Sequence, residues 1–174
     1  MSVFVTRTSQ KLNFVQLQLE QLAQADESTG WSRQARLECA QEGVLFQLVS
    51  AYGALLREIA HHYRLDAAKV QQFADLDALF ERAALQSPER TELASLEQAE
   101  GSWLRCLRSA YEACWQSGTE VRTANAAASS QSEISLVQLG GGGAEAQVTP
   151  QQCRQWYRDL AQLAERLRAG MQEW

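Results

Sequence analysis

Proline and β-branched residues are scarce in this chain of 174 residues, which contains only two prolines. Few residues therefore interrupt helices, while the abundant Ala, Leu, Gln, Glu and Arg all favour them. The composition predicts an all-α protein. Its length fits a single domain, and an apolar fraction of 45% is normal for a globular protein with its own core.

Lysine is nearly absent, since only Lys11 and Lys69 occur, and the net charge is −5. Non-specific binding of nucleic acid needs a concentrated basic surface, so the charge argues against nucleic acid as a partner. No apolar run reaches the roughly 20 residues of a membrane span, because Gln47 and Ser50 interrupt the longest one. We therefore expect no membrane contact.

The four cysteines have no CxxC spacing. No secretory apolar region precedes them, because the N-terminus turns polar after five residues. We expect reduced thiols in a cytoplasmic protein. Cys114 and Cys153 fall on apolar stripes and are predicted to be buried, whereas Cys106 lies off the main stripe of its helix and is the thiol to test for reactivity.

Residues 35–65 contain no proline, and their middle leaves almost no polar face. A helix that is apolar on nearly all sides must be covered on nearly all sides. We predict that a helix from near Ser32 to near Arg64 forms the centre of a bundle. Its predicted buried residues are Val44, Leu45, Phe46, Leu48, Val49, Ala51, Tyr52, Ala54, Leu55, Leu56 and Ile59.

Apolar spacing and cap residues predict four further helices. They cover residues 9–25 with Thr8 as cap, residues 67–85, residues 88–116 after Ser87, and residues 150–174 after Thr149. Asp75 predicts a break in the third, and Gly101 predicts a bend or a close approach in the fourth. Trp31 is predicted to cover a helix end. Short connections predict an antiparallel up-and-down bundle of about five helices with a buried second helix.

Residues 119–148 differ from the rest of the chain, because they include a low-complexity run and four consecutive glycines. Such a stretch buries too little to offset its chain entropy. We predict one domain over residues 1–174 with a flexible insertion at about 119–148. A short apolar patch, residues 133–139, predicts a segment that lies on the bundle or binds a partner.

Three stretches carry a resemblance to a known family. They are residues 6–14 leading into LQLEQL, residues 45–65 ending in YGALLREIAHHYRL, and the closing helix ending in MQEW. Together they resemble a small uncharacterised family of bacterial proteins, a domain of unknown function. The resemblance covers the whole chain, and it implies a cytosolic, all-helical protein without an assigned activity.

Glu58-x-x-His61 on the central helix matches half of a metal-binding pattern. Ferritin-like bundles use two Glu-x-x-His motifs and two further glutamates to hold two metal ions. His61 and His62 are the only histidines, so a second motif would require a symmetric homodimer. The alternative is a helix end whose histidines stabilise the carbonyl-rich C-terminus. Glu58 and His61 are the candidate metal ligands.

Arg57-x4-His62 resembles the Arg-to-His spacing of a helical ribonuclease superfamily found in toxins. That resemblance implies Arg57, Glu58 and His62 as candidate catalytic residues. The residue after the arginine is usually polar in that superfamily, whereas here it is Glu58, whose charge would repel an RNA phosphate.

Two functions of different class follow. The first is a non-enzymatic adaptor that binds a protein partner, or a second copy, through a helix face or the 119–148 segment. The second is a ribonuclease-like or metal-dependent enzyme that uses Arg57, Glu58, His61 and His62. The first is favoured because no complete catalytic pattern is found, and we predict no cofactor. A polar cleft holding both histidines beside Arg57 and a carboxylate would favour the enzyme.

Overall fold

The computed structural model describes residues 2–115 and 148–172, and it confirms the all-α class. No strand occurs in these two ranges. The helices are α1 (Val3–Glu27), α2 (Arg33–His62), α3 (Phe73–Arg82), α4 (Pro88–Gln98), α5 (Trp103–Ala113) and α6 (Pro150–Gln172), with a 3₁₀-helix at Ala67–Lys69. The predicted insertion lies outside the described residues except for Val148.

One hydrophobic core is shared by all six helices, and α2 supplies the largest part of it. α2 contacts α1, α3, α5 and α6, and eleven of its residues are buried. Tyr52 and Leu55 are buried as predicted, at 5% and 0% exposure. The second helix is therefore the hub of the fold.

The prediction that Phe46 is buried is wrong, because 49% of this residue is exposed. Phe46 precedes the fully buried Leu48 by two positions, which places the two side chains about 160° apart round the helix. The neighbouring helices cover the Leu48 side of α2. The side chain of Phe46, on the outer side of α2, therefore remains at the surface.

α1 and α2 pack as an antiparallel hairpin. Near the start of α1, the Phe4 ring lies 4.7 Å from the His61 ring at the end of α2. Further along, the Lys11 ammonium donates to the Gln47 side chain at 3.3 Å. Increasing residue numbers in α1 thus meet decreasing numbers in α2, as the short connection between them predicts.

α6 runs in the same direction as α2, which departs from a strictly antiparallel order. The Gln41 amide donates to the carbonyl of Val148, just before α6, at 2.8 Å. Twenty residues later, Arg168 contacts Glu58 near the end of α2. The connection from α5 to α6 is long, so it does not force adjacent helices to alternate in direction.

The predicted N-cap at Thr8 is wrong, because α1 begins five residues earlier, at Val3. The Ser2 hydroxyl accepts a hydrogen bond from the Phe4 amide at 3.3 Å and caps the helix. Thr8 is 1% exposed and donates to the Phe4 carbonyl at 3.1 Å. Packing of Phe4 against the core extends the helix beyond the reach of the local cap signal.

The predicted third helix is interrupted earlier than expected. A 3₁₀ turn capped by Asp66 comes first, and α3 begins at Phe73. Asp75 is not the cap: its carboxylate accepts from the amides of Gln71 and Gln72, both at 3.0 Å. It lies in the first turn, where a carboxylate stabilises free amide groups.

The predicted fourth helix is two helices, so the described residues hold six rather than five. Gly101 has φ of +77°, a conformation that glycine adopts without strain. Ser102 then caps α5, accepting from the Arg105 amide at 3.1 Å. Its hydroxyl also donates to the Leu96 carbonyl at 2.5 Å, which fixes the α4–α5 hairpin.

Two predictions concerned helix ends, the packing of Trp31 after α1 and the capping box before α6, and only the second is confirmed. Trp31 is 94% exposed, so the prediction that it covers a helix end is wrong; it belongs to the turn closed by the Arg33 amide and Gly30 carbonyl. The predicted capping box of α6 is confirmed, because Thr149 and Gln152 exchange backbone-to-side-chain hydrogen bonds of 2.8 and 3.2 Å.

By length and composition alone, α2 could cross a membrane, and it is the one such helix among the described residues. Gln47 and Ser50 therefore do not exclude a span by that criterion. In this structure 61% of the apolar window is buried inside the bundle, and the core helix of a bundle meets the same criterion. The absence of membrane contact stays a prediction.

Candidate functional site

A cleft of about 510 Å³ opens where α1 begins and where α2 and α6 end. Small-molecule sites typically have volumes of roughly 300–1,000 Å³. The cleft combines charged, polar and apolar side chains. They are Ser2, Val5, Glu58, His61, His62, Arg64, Arg168, Met171 and Gln172.

Glu58 forms the floor of the cleft and is 3% exposed. Arg168 binds it through both oxygens, with Nε 2.7 Å from Oε1 and Nη2 2.9 Å from Oε2. The hydrogen bonds to Glu58 raise the pKa of Arg168, and paired donors of this kind are strong and geometrically specific. The carboxylate is therefore held in an ion pair rather than left free for a metal or a water molecule.

The sequence pattern missed Arg168, because it is a charged residue at the edge of the apolar stripe of α6, one turn after the buried Ala164 and distant in sequence from Glu58. A signal was nevertheless present. Glu58 falls among buried positions of an apolar helix, and a buried carboxylate needs a cation or several donors. The arginines of α6 were the candidates for that cation, and Arg168 is the one that binds Glu58.

His61 and His62 are exposed and line the cleft beside Glu58. The His61 ring packs against Phe4, with a 30° angle between the rings. Arg57 is partly exposed and is not among the lining residues. The structure thus brings three of the four candidate residues to one cleft and leaves Arg57 outside it.

The metal and catalytic assignments stay predictions. Within residues 2–115 and 148–172, no group of three or more His, Cys, Asp and Glu side chains is close enough to hold a metal ion. Glu58 and His61 lie in the same cleft, but both carboxylate oxygens of Glu58 are already hydrogen-bonded to Arg168.

Arg64 reaches the rim of the cleft through an unusual backbone conformation. Its φ is +58°, in the left-handed region that favours glycine. The Arg64 amide donates to the His61 carbonyl at 3.0 Å, and the Leu65 amide donates to the Ala60 carbonyl at 2.8 Å. These two bonds form a Schellman motif that ends α2.

A second feature is a surface that we call the aromatic patch, formed by Lys11, Phe14, Leu17 and Phe46. The Lys11 ammonium lies 5.6 Å from the Phe14 ring centroid and 5.8 Å from that of Phe46. Partial burial, and then the charge of Arg7, lower the pKa of Lys11. Leu17 is 47% exposed and one turn after Phe14. The patch therefore combines apolar surface with a fixed cation.

Two further carboxylates, the partly buried Glu97 and the buried Glu89, accept hydrogen bonds from tyrosines of α2 and its cap. Tyr52 donates to Glu97 at 2.9 Å, and Glu97 also pairs with Arg108. Tyr63 donates to Glu89 at 2.6 Å, and Glu89 is 2% exposed. Burial, and then this hydrogen bond, raise the pKa of Tyr63 to about 12. These contacts join α4 and α5 to the hub, away from the cleft lining.

Comparison with known proteins identifies a family but no activity. The model of a family of unknown function (DUF6586) matches residues 1–174, which confirms the resemblance to an uncharacterised domain. No curated protein and no solved structure matches the chain.

Proposed function

The chain belongs to DUF6586, a family of unknown function, so we propose its function from the physical features of the fold. The protein is an interaction module, and the aromatic patch is its docking surface for a protein partner. The observation that carries this proposal is the 49% exposure of Phe46 in the middle of the hub helix, beside Phe14 and Lys11.

The aromatic patch is suited to association because its side chains are rigid and close together. Aromatic residues are enriched at the buried centres of interfaces, and covering a half-exposed phenylalanine contributes roughly 1 kcal/mol. Lys11 lies within cation–π range of both rings, which holds Phe14 and Phe46 in one surface. A partner side chain that packs between the rings would bury both of them.

Positive charges border the aromatic patch on its Arg7 side, whereas the exposed Glu42 lies one turn before Phe46 on α2. Arg7 is exposed one turn before Lys11, and the first acidic residue of α1 is Glu20. Arg57 follows Phe46 by eleven residues, so the two lie on the same side of α2 about three turns apart. We infer a protein segment with an apolar anchor and an acidic residue that faces Arg7 and Lys11, since complementary charge raises association rate and specificity.

The other parts of the adaptor hypothesis stay predictions. The segment at about 119–148 lies outside the described residues except for Val148, and the aromatic patch does not depend on it. A homodimer and a cytoplasmic location are likewise predictions from sequence.

The enzyme hypothesis has less support than the interaction module. A ribonuclease-like site would need Arg57 near His62, but Arg57 is not in the cleft lining. A metal-dependent site would need Glu58 as a ligand, and Arg168 already bonds to both of its oxygens. No observation of the described residues favours this alternative over docking.

Site-specific photo-crosslinking tests the docking surface. A benzoylphenylalanine is placed at Phe46, and a matched control carries it at Leu85, which is 36% exposed in the turn after α3. In cells that express the chain naturally, we expect one defined adduct with another protein from position 46 and none from position 85. Lys11→Glu should remove the adduct, because the flanking charge is reversed.

Two outcomes would overturn the proposal. Identical adduct patterns from positions 46 and 85 would mean that the aromatic patch has no special affinity. An adduct consisting only of two copies of this chain would mean that the aromatic patch mediates self-association and does not bind an acidic partner. Sedimentation of the purified protein would then confirm the dimer.

A further inference from the structure

We propose that the cleft at the end of α1, α2 and α6 binds a small amphiphilic anion, namely a carboxylate or phosphate monoester that carries a short apolar tail. The cleft has one fixed guanidinium, a cationic rim and an apolar wall. These three features are independent of the aromatic patch and of the function proposed for it.

Arg168 supplies the fixed donor. Its Nε and Nη2 are bound to Glu58, and Nη2 also lies 3.4 Å from the Val5 carbonyl. Among the described residues no acceptor lies within hydrogen-bond distance of Nη1, and no buried side-chain nitrogen or oxygen there lacks a partner. Nη1 is therefore not fully enclosed, and because Arg168 lines the cleft this nitrogen is the donor left for a bound molecule, held in place by the bonds of Nε and Nη2.

Arg64 adds a positive charge on the rim around this donor, and His61 and His62 add hydrogen-bonding groups. His61, His62 and Arg64 are exposed at the end of α2 and line the cleft. Among the lining residues that the structure describes, Glu58 is the one acidic side chain, and it is paired with Arg168. A bound anion would meet cationic or hydrogen-bonding groups on the rim and a guanidinium edge at the base, as charge-assisted hydrogen bonds require.

Val5 and Met171 supply the apolar wall, and they explain why an inorganic anion is not the favoured ligand. Met171 is 7% exposed, on the last turn of α6. A thioether side chain adapts to irregular apolar groups. Sites for small molecules commonly combine an apolar lining with a few converging polar groups, and the cleft has this composition.

The alternative explanation for the cationic rim is helix stabilisation, since cations near a helix C-terminus interact favourably with its carbonyl groups. The two explanations differ in their consequences. If the rim only stabilises α2, removal of the Arg64 side chain changes stability and has no effect on an added anion. If the cleft is a binding site, the same change weakens binding of the anion and leaves binding of a neutral analogue unchanged.

The binding assay uses the full chain with ¹³C-labelled methionine methyl groups. The sequence contains only two methionines, Met1 and Met171, so the resonance of the cleft is readily assigned. Octanoate and octyl phosphate are the probes, used below their micellar concentrations. Octanol lacks the charge, and acetate lacks the tail.

We expect a saturable 1:1 shift of the Met171 methyl signal with octanoate, octyl phosphate or both. Octanol and acetate should bind at least about tenfold more weakly, because each lacks one of the two interactions. A phosphate preference over carboxylate, or the reverse, identifies which anion the cleft selects. Equal affinity for octanol and the two anions, or no saturable shift with either anion, would overturn the proposal.

Arg64→Gly removes the rim charge without a folding defect, because glycine adopts the left-handed conformation readily. Ala84→Gly is the matched control: Ala84 has φ of +51° in the equivalent Schellman motif after α3, away from the cleft. We expect Arg64→Gly to weaken both anions about three- to tenfold and to leave octanol unchanged. Ala84→Gly should bind all probes like the unmodified chain.

Equal anion affinity in the two glycine variants would refute the role of the rim. His62→Ala, added to Arg64→Gly, should weaken binding of the anions further, since it removes a second donor from the rim. Arg168 itself is a poor choice for the test, because its loss leaves the buried Glu58 unpaired and destabilises the fold.

Discussion

Arg168 in α6 binds Glu58 in α2 through two hydrogen bonds of 2.7 and 2.9 Å, across 110 positions of sequence. The pair joins the last helix to the hub and fixes the end of α6 at the cleft. Glu58 is 3% exposed, so without its partner the carboxylate would be buried as an isolated charge. One ion pair thus serves both the fold and the proposed anion site.

Replacing Arg168 with methionine should destabilise the protein by about 3 kcal/mol, because Glu58 is left buried without its cation. Urea denaturation of the full chain measures the change. The double variant Glu58→Leu/Arg168→Met is the control, and it should recover most of the loss, since an apolar pair needs no compensating charge. A loss below about 1 kcal/mol in the single variant would show that the pair is solvated rather than buried.

Stability should fall between about pH 10 and pH 12 because of Tyr63. Its pKa is raised from 10 to about 12 by burial and by the hydrogen bond to Glu89. A folded-state pKa above the unfolded value gives a contribution that is complete below pH 10 and is lost as the pH rises through 12. Tyr63→Phe should have a flatter profile over this range, measured by urea denaturation at each pH. An unchanged slope in the variant would contradict this assignment.

Thiol labelling should distinguish the two exposed cysteines from the buried one. Cys39 and Cys106 are exposed, whereas Cys153 is 0% exposed and burial raises its pKa to about 11. At pH 8 we expect a maleimide to modify the two exposed thiols rapidly and Cys153 only after denaturation. Peptide mass spectrometry gives each rate. Equal modification of Cys153 and Cys106 in the folded chain would mean that the end of α6 containing Cys153 opens freely.

Two helical glycines should respond oppositely to alanine. A Cβ at Gly43 would lie 2.6 Å from the Gln18 side-chain oxygen, the end of a flexible side chain that can move away. Gly43→Ala should therefore be neutral or stabilise the protein by up to about 1 kcal/mol, through helix propensity. Unfolding midpoints in urea measure this effect.

Gly170→Ala is the counterpart, because its Cβ would lie 3.0 Å from the Glu89 carboxylate. Glu89 is buried and its other oxygen is bound by Tyr63, so it has little freedom to move. We expect a destabilisation of about 1 kcal/mol, in the range that overpacking produces. If both alanine variants shift the midpoint in the same direction, the neighbouring side chains do not decide the outcome.

The helix starts that use local signals were predictable. The capping box of Thr149 and Gln152 and the cap at Ser87 both appear as predicted. Each depends on residues within one turn of the chain, which a sequence pattern contains in full. The prediction of a cap at Thr8 was wrong because tertiary packing, which a local pattern does not contain, decided the start of α1. Phe4 packs against the core, and the helix begins before it, at Val3.

The candidate site was predictable only in part. Glu58, His61 and His62 were identified from spacing and do share a cleft. Arg57 was included because its spacing from His62 resembles that of a helical ribonuclease superfamily, but it lies outside the lining. Arg168 and Arg64 were missed, because one comes from a distant helix and the other depends on a left-handed turn that is unusual for arginine.

The sequence by itself determined that the chain is helical and that its second helix is the hub, because composition, periodicity and caps act over a few residues. Tertiary structure alone decided that Phe46 is exposed, that α6 runs parallel to α2 and that Arg168 neutralises Glu58. These features depend on which helix faces meet. That choice is made by burying the most apolar surface over the whole chain, and no local pattern records it.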